Sequence, residues 1–214
     1  MHDVHDLDVP ILARIVQAMY ALERAGLTPV ASEDLQAFIY LANVLSPQWG
    51  VAPIEGSVLK EVRGPQSLVV AEAVDFCVGQ GIIQIGSLLA DSSDPTILAA
   101  TYYLNPQGAD QILQPLRVFP DEEKVFHFLQ ELAFAFALIE NDKRDEAAEE
   151  DASWTDPAVS INRVVDFAEF VSPLENPTAN TLYAFQQFAP EGVTYTPSET
   201  MALYLRLLDR RAYG

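Results

Sequence analysis

Cysteine, positive charge and long apolar runs are all scarce in this sequence. Cys77 is the only cysteine, which excludes an internal disulfide and any multi-cysteine zinc site. Lysine and arginine number 12 against 31 aspartates and glutamates, a formal net charge of −19. The longest strongly apolar run, Leu132 to Ile139, is far short of the ~20 residues that cross a bilayer. The opening MHDVHDLDVP has neither a basic nor an apolar stretch, so no secretory signal is predicted and the expected location is cytoplasmic.

The shortage of cations is not local. Five Lys or Arg face thirteen Asp or Glu through residue 119, and seven face eighteen from residue 120. Nonspecific affinity for duplex DNA depends on neutralising phosphates, so neither half suits that task. What the chain does have is apolar content: half of its 214 residues, enough to bury a real core. For most chains an acidic surface of this kind only keeps the protein soluble by repulsion; a specific basic partner is the less common alternative.

Periodicity predicts a mainly α protein with a small β-hairpin. Leu12, Ile15, Val16, Met19 and Leu22 form a helical stripe that stops near Gly26. Ser32, Glu33 and Asp34 suit the start of a second helix, and Gly64-Pro65 opens a third that runs to about Val78. The period then changes. Ile82 to Leu89 and Thr96 to Leu104 read as two antiparallel strands around the turn ADSSDP, and Asn105-Pro106 opens another helix. Helix, helix, helix, strand, wing, strand, helix is the winged-helix order. The expected division is a winged-helix-like domain over 1–118 and a helical domain over 119–214, with an acidic loop at 140–156. In the second half, Pro120 begins a long helix ending near Glu140, and Asp156-Pro157, Asn176-Pro177 and Thr196-Pro197 each read as a cap with proline at the first helical position. They predict helices of about 157–171, 177–188 and 197–211.

The chemistry-bearing residues form no catalytic pattern, and no cofactor is expected. A DNA-reading third helix would carry Arg, Lys, Asn or Gln toward base edges; PQSLVVAEAVDFCVG has no cation and carries Glu72 and Asp75. Asp91 and Asp94 make the wing acidic, and only Lys60 and Arg63 could touch a phosphate. His2, Asp3, His5 and Asp6 could ligate a metal but lie at a terminus, and His127 sits on an apolar helix. Cys77, among Val74, Phe76 and Val78, reads as an inert core thiol. On the long helix, Phe126, Leu129, Ala133, Phe136 and Ile139 share one face while Phe128, Leu132, Phe134 and Leu138 lie off it. Such a helix is central, or partly covered by a partner. On the last helix Met201, Tyr204, Leu205 and Leu208 make a stripe that Leu203 and Leu207 widen, beside Arg206, Arg210 and Arg211, the only basic cluster. Leu203, Arg206, Leu207, Arg210 and Arg211 are therefore the candidate partner-binding residues.

The stretch FIYLANVLSPQWGVAPIEGSVLKEVRGPQSLVVAEAVDFCVGQGII resembles the middle components of bacterial ABC three-component defence systems, including the Lamassu-type accessory subunit. Trp49-Gly50, Pro53, Gly56, Leu59-Lys60, Gly64-Pro65 and Gly81-Ile82-Ile83 carry the likeness. These are packing and turn residues, and they cover roughly the first half of the chain. The resemblance implies a non-catalytic subunit that joins an SMC-like coiled-coil ATPase to an effector, often a nuclease, in antiphage defence. DNA would then be reached only through the complex. A winged-helix transcription regulator or another protein-interaction adaptor is the alternative, and self-association stays open.

Overall fold

The computed structural model describes residues 9–62, 64–90, 98–167 and 176–214. The chain is mainly helical with two small antiparallel sheets. Its elements run α1 (Val9–Arg24), β1 (Val30–Ala31), α2 (Ser32–Leu45), β2 (Ser57–Leu59), α3 (Leu68–Gly79), β3 (Ile83–Ala90), β4 (Leu98–Leu104), α4 (Pro106–Leu116), α5 (Pro120–Phe136), α6 (Arg144–Glu149), β5 (Val164–Asp166), α7 (Pro177–Gln187) and α8 (Pro197–Ala212). They form two compact units, Met1–Leu35 with Ser67–Gln130, and Gln36–Gln66 with Glu131–Gly214. The expected boundary at 118/119 falls inside the first unit, which runs on to Gln130, and the segment from Gln36 to Gln66, expected in the first domain, groups with the C-terminal residues.

In the first unit, α1 buries Ile15, Val16, Met19 and Leu22 of the predicted stripe together with Ala18, while Leu12 is only half-buried. Helix α1 packs on α3, α4 and β4. Ser67 caps α3 by accepting from the Val70 N–H at 3.1 Å, three residues past the expected start. Gly64-Pro65 lies in the approach instead, because proline restricts the residue before it and interrupts regular pairing. At the other end Gly81 takes φ 70°, and the Ile82 N–H reaches back to the Cys77 carbonyl at 2.9 Å. This left-handed cap ends α3 and turns the chain directly into β3. The sheet order is β1-β4-β3. The β3–β4 register shifts by one residue between Ile85 and Ser87; a Cβ at the intervening Gly86 would sit 2.9 Å from the Thr101 Oγ1. Asn105 then caps α4 through the Gln107 N–H while its amide donates to the Gly81 carbonyl at 2.8 Å.

The second unit pairs β2 with β5, placing buried Val58 opposite buried Val165. Asn43, buried at 1 % exposure, holds the connection ahead of β2 by accepting from the Ile54 and Glu55 N–H groups. Tyr40 lies edge-on to Trp154 and Phe167, with centroids 5.5 and 5.7 Å away. Helix α8 packs on α6 and α7.

Two expectations for this half are corrected. The acidic stretch 140–156 is no solvated loop: it forms a 3-10 turn at Asn141–Lys143 and then α6, and Ala147, Ala148, Asp151, Ser153 and Trp154 are buried. Alanines and a tryptophan inside the acidic run give it an inward face that net charge conceals. Asp156-Pro157 starts no helix either. The Asp156 carboxylate accepts from the Ala158 N–H at 2.8 Å in a local turn, and the following β-branched residues form β5. The part of the expected helix beyond Phe167 lies outside the described residues.

Candidate functional site

Helix α8, which carries all the candidate partner-binding residues, starts with a full capping box. Thr196 accepts from the Glu199 N–H, and the Glu199 carboxylate accepts from the Thr196 N–H. Met201, Tyr204, Leu205 and Leu208 are buried, as the stripe requires, while Leu203 and Leu207 are half-buried at its edge. Arg206, Arg210 and Arg211 are exposed. Arg211 donates to the Glu150 carbonyl at 3.4 Å. The neighbouring Tyr213 is pushed up to about 12 by its hydrogen bond to Glu140 and the acids around it. The basic cluster therefore sits within reach of the acidic 140–150 stretch of its own unit, with Arg206 and Arg210 presented to solvent.

Helix α3 buries Val70, Ala73, Val74 and Cys77. Burial pushes the Cys77 thiol up to about 11, so it stays protonated at neutral pH and is a poor nucleophile. The residues left outside include Leu68 and Val69, 83 % and 41 % exposed, with Ala71, Glu72 and Asp75. Lys60 is committed elsewhere, donating to the Val159 carbonyl at 2.8 Å and lying over the Trp154 ring. Arg63 and the acidic turn residues Asp91 and Asp94 are outside the described residues, as are His2, Asp3, His5 and Asp6. His127 is exposed on α5. On the same helix Phe128, Leu129, Leu132, Ala133 and Phe136 are buried, whereas Phe134 is 45 % exposed.

Sequence reasoning missed the most elaborate polar cluster. Asp151 is wholly buried. It accepts from the hydroxyls of Tyr40 at 2.7 Å, Tyr204 at 2.6 Å and Thr178 at 2.8 Å. The Ser153 and Trp154 N–H groups add 2.9 and 3.2 Å contacts. Burial, then the adjacent carboxylate, raises both tyrosines well above their ordinary range, so both hydroxyls remain donors. Five donors on one carboxylate replace its lost water. The signal was Trp154, three residues past Asp151 in an otherwise acidic run. The cluster is closed to solvent and ties α2, α7 and α8 to one loop.

A cleft of about 470 Å³ opens between α4 and the end of α3, lined by Phe76, Gln80, Asn105, Gln107, Gln111 and Ile112 among others. None of its lining residues is ionisable, so it offers hydrogen bonds and an apolar wall but no group to move a proton. Among the described residues no three His, Cys, Asp or Glu side chains are placed to hold a metal ion. No helix among them is long and apolar enough to cross a membrane. No protein-family model matches the chain, and no curated protein matches it.

Proposed function

We propose that this chain is a non-catalytic interaction subunit, cytoplasmic, with a winged-helix-like first unit. In this reading it joins an SMC-like coiled-coil ATPase to an effector in an antiphage complex. The order of elements from α1 to α4 and the sheet order β1-β4-β3 support the winged-helix part; the turn and packing residues quoted for the resemblance support the partner part. The observation that carries the reading is the outward side of α3. Leu68, Val69, Glu72 and Asp75 offer apolar area and negative charge where a DNA reader would place cations. Such a surface suits another protein.

The test is whether genes for an SMC-like ATPase and an effector flank the gene for this chain, followed by co-expression of the three products. The expected result is one co-eluting assembly, with no hydrolase activity from this subunit alone. A monodisperse protein that ignores both neighbours would overturn the reading. A transcription regulator shares the element order, and a gel shift at low salt separates the two: the interaction subunit leaves free duplex unshifted.

A further inference from the structure

Strand β3 is the outer strand of its sheet, and no further strand pairs with it among the described residues. Its eight residues, IQIGSLLA, include no charge and no proline. Natural edge strands are usually blunted by both, or by being short. Every residue from Gln84 to Leu89 is exposed, and Ile85, Leu88 and Leu89 are 46 %, 52 % and 67 % exposed. Apolar side chains thus stand exposed on both faces of an edge that no strand among the described residues covers.

The backbone has a definite polarity along that edge. The Asn105 N–H donates to the Ile82 carbonyl at 2.9 Å, which makes Ile83 and Leu104 a pair that exchanges no hydrogen bonds directly. Alternation then turns the main-chain N–H and C=O of Ile85 away from β4. These groups form a docking template for an incoming strand.

We propose that the free edge of β3 receives an extended, apolar segment of a partner protein, with lysine or arginine among its residues, as an added antiparallel or parallel strand. The edge stands on the geometry above; the partner class rests on the proposed function. A second copy is a poorer occupant for two reasons. Each copy carries −19, and the repulsion opposes self-association. A strand of this length offers a footprint of roughly 27 by 10 Å, well below the ~800 Å² per partner of a standard stable interface. A segment of a protein already held in the same assembly needs less area, because tethering raises its effective concentration. Its cations would meet an acidic host.

The direct probe is a short synthetic peptide of alternating isoleucine and threonine with lysine at each end, added to the full chain. Expected are at least tenfold slower amide exchange at Ile85, and loss of binding by at least tenfold when the peptide's alternate amides are N-methylated. A glutamate-ended peptide should bind several-fold more weakly. Ile85→Pro removes a donor that faces away from β4, so it should lower the affinity for fluorescently labelled peptide at least tenfold while far-UV circular dichroism stays unchanged; Leu89→Lys gives a second, fold-safe loss of affinity. Unaltered exchange at Ile85 with saturating peptide, or a concentration-dependent dimer that Ile85→Pro dissolves, would overturn the proposal. Peptide docking without any ATPase binding would instead defeat the proposed function and leave the edge standing. ATPase binding with no peptide protection would do the reverse.

Discussion

Asp151 shows what a single residue can organise when it is removed from water. A buried carboxylate is costly unless donors surround it, and here three hydroxyls and two backbone N–H groups do so. Tyr204→Phe should therefore cost about 1.5–3 kcal/mol, the range for a hydrogen bond to a charged group, and Tyr40→Phe a similar amount. Asp151→Ala should cost at least about 3 kcal/mol, since several buried donors lose their acceptor together. Urea denaturation checks this: the midpoint should fall with an unchanged slope, and equal midpoints for wild type and Tyr204→Phe would remove the cluster from the stability argument. Cys77 gives an independent residue-scale readout. Buried and raised to about 11, it should react with iodoacetamide only as fast as the native state opens, and promptly in denaturant.

At the scale of elements, the caps were the most legible feature of the sequence. Asn105-Pro106, Asn176-Pro177 and Thr196-Pro197 all start helices, with each cap side chain accepting a backbone N–H. Asp156-Pro157 carries the same local signal and fails, because a cap needs an apolar helical stripe after it and β-branched valines follow instead. The buried cluster was not legible for a related reason. Tyr40, Asp151, Thr178 and Tyr204 are far apart in the chain, and no spacing rule connects them before the tertiary fold does. Asn176→Ala should cost about 1 kcal/mol as the loss of a helix cap, measurable by the same denaturation. The α1–α5 contact adds a pH dependence. Glu122 accepts from Arg14 and Gln17, and the Arg14 hydrogen bond holds its carboxyl below the ordinary 4.5. A depressed acid stabilises the fold fully above its unfolded value and loses that contribution as pH falls through the folded one. Glu122→Gln should cost about 0.5–1 kcal/mol at pH 7, limited by solvent screening, and the difference should vanish as the pH drops below the ordinary carboxylate range. A cost that persists in strong acid would assign the effect to packing.

For the whole molecule, charge and fold pull in different directions. A winged helix, the arrangement proposed for the first unit, is a fold that DNA readers use, yet α3 presents Glu72 and Asp75 outward and β3 presents no charge. With −19 over 214 residues, self-repulsion should also weaken the folded state at low ionic strength. Raising salt from a few millimolar to physiological strength shortens the screening length to about 8 Å, so the melting temperature should rise with added sodium chloride and then level off. The same titration separates partners. Association through the acidic surface alone should be lost as salt rises, whereas strand addition along β3 should lose only the several-fold share that its flanking cations contribute and keep the part that rests on main-chain hydrogen bonds and apolar side chains. A complex with the proposed ATPase partner that survives high salt in the wild type, but only low salt after Ile85→Pro, would assign the lasting part of the interaction to the β3 edge. Identical salt profiles for the two would place it elsewhere.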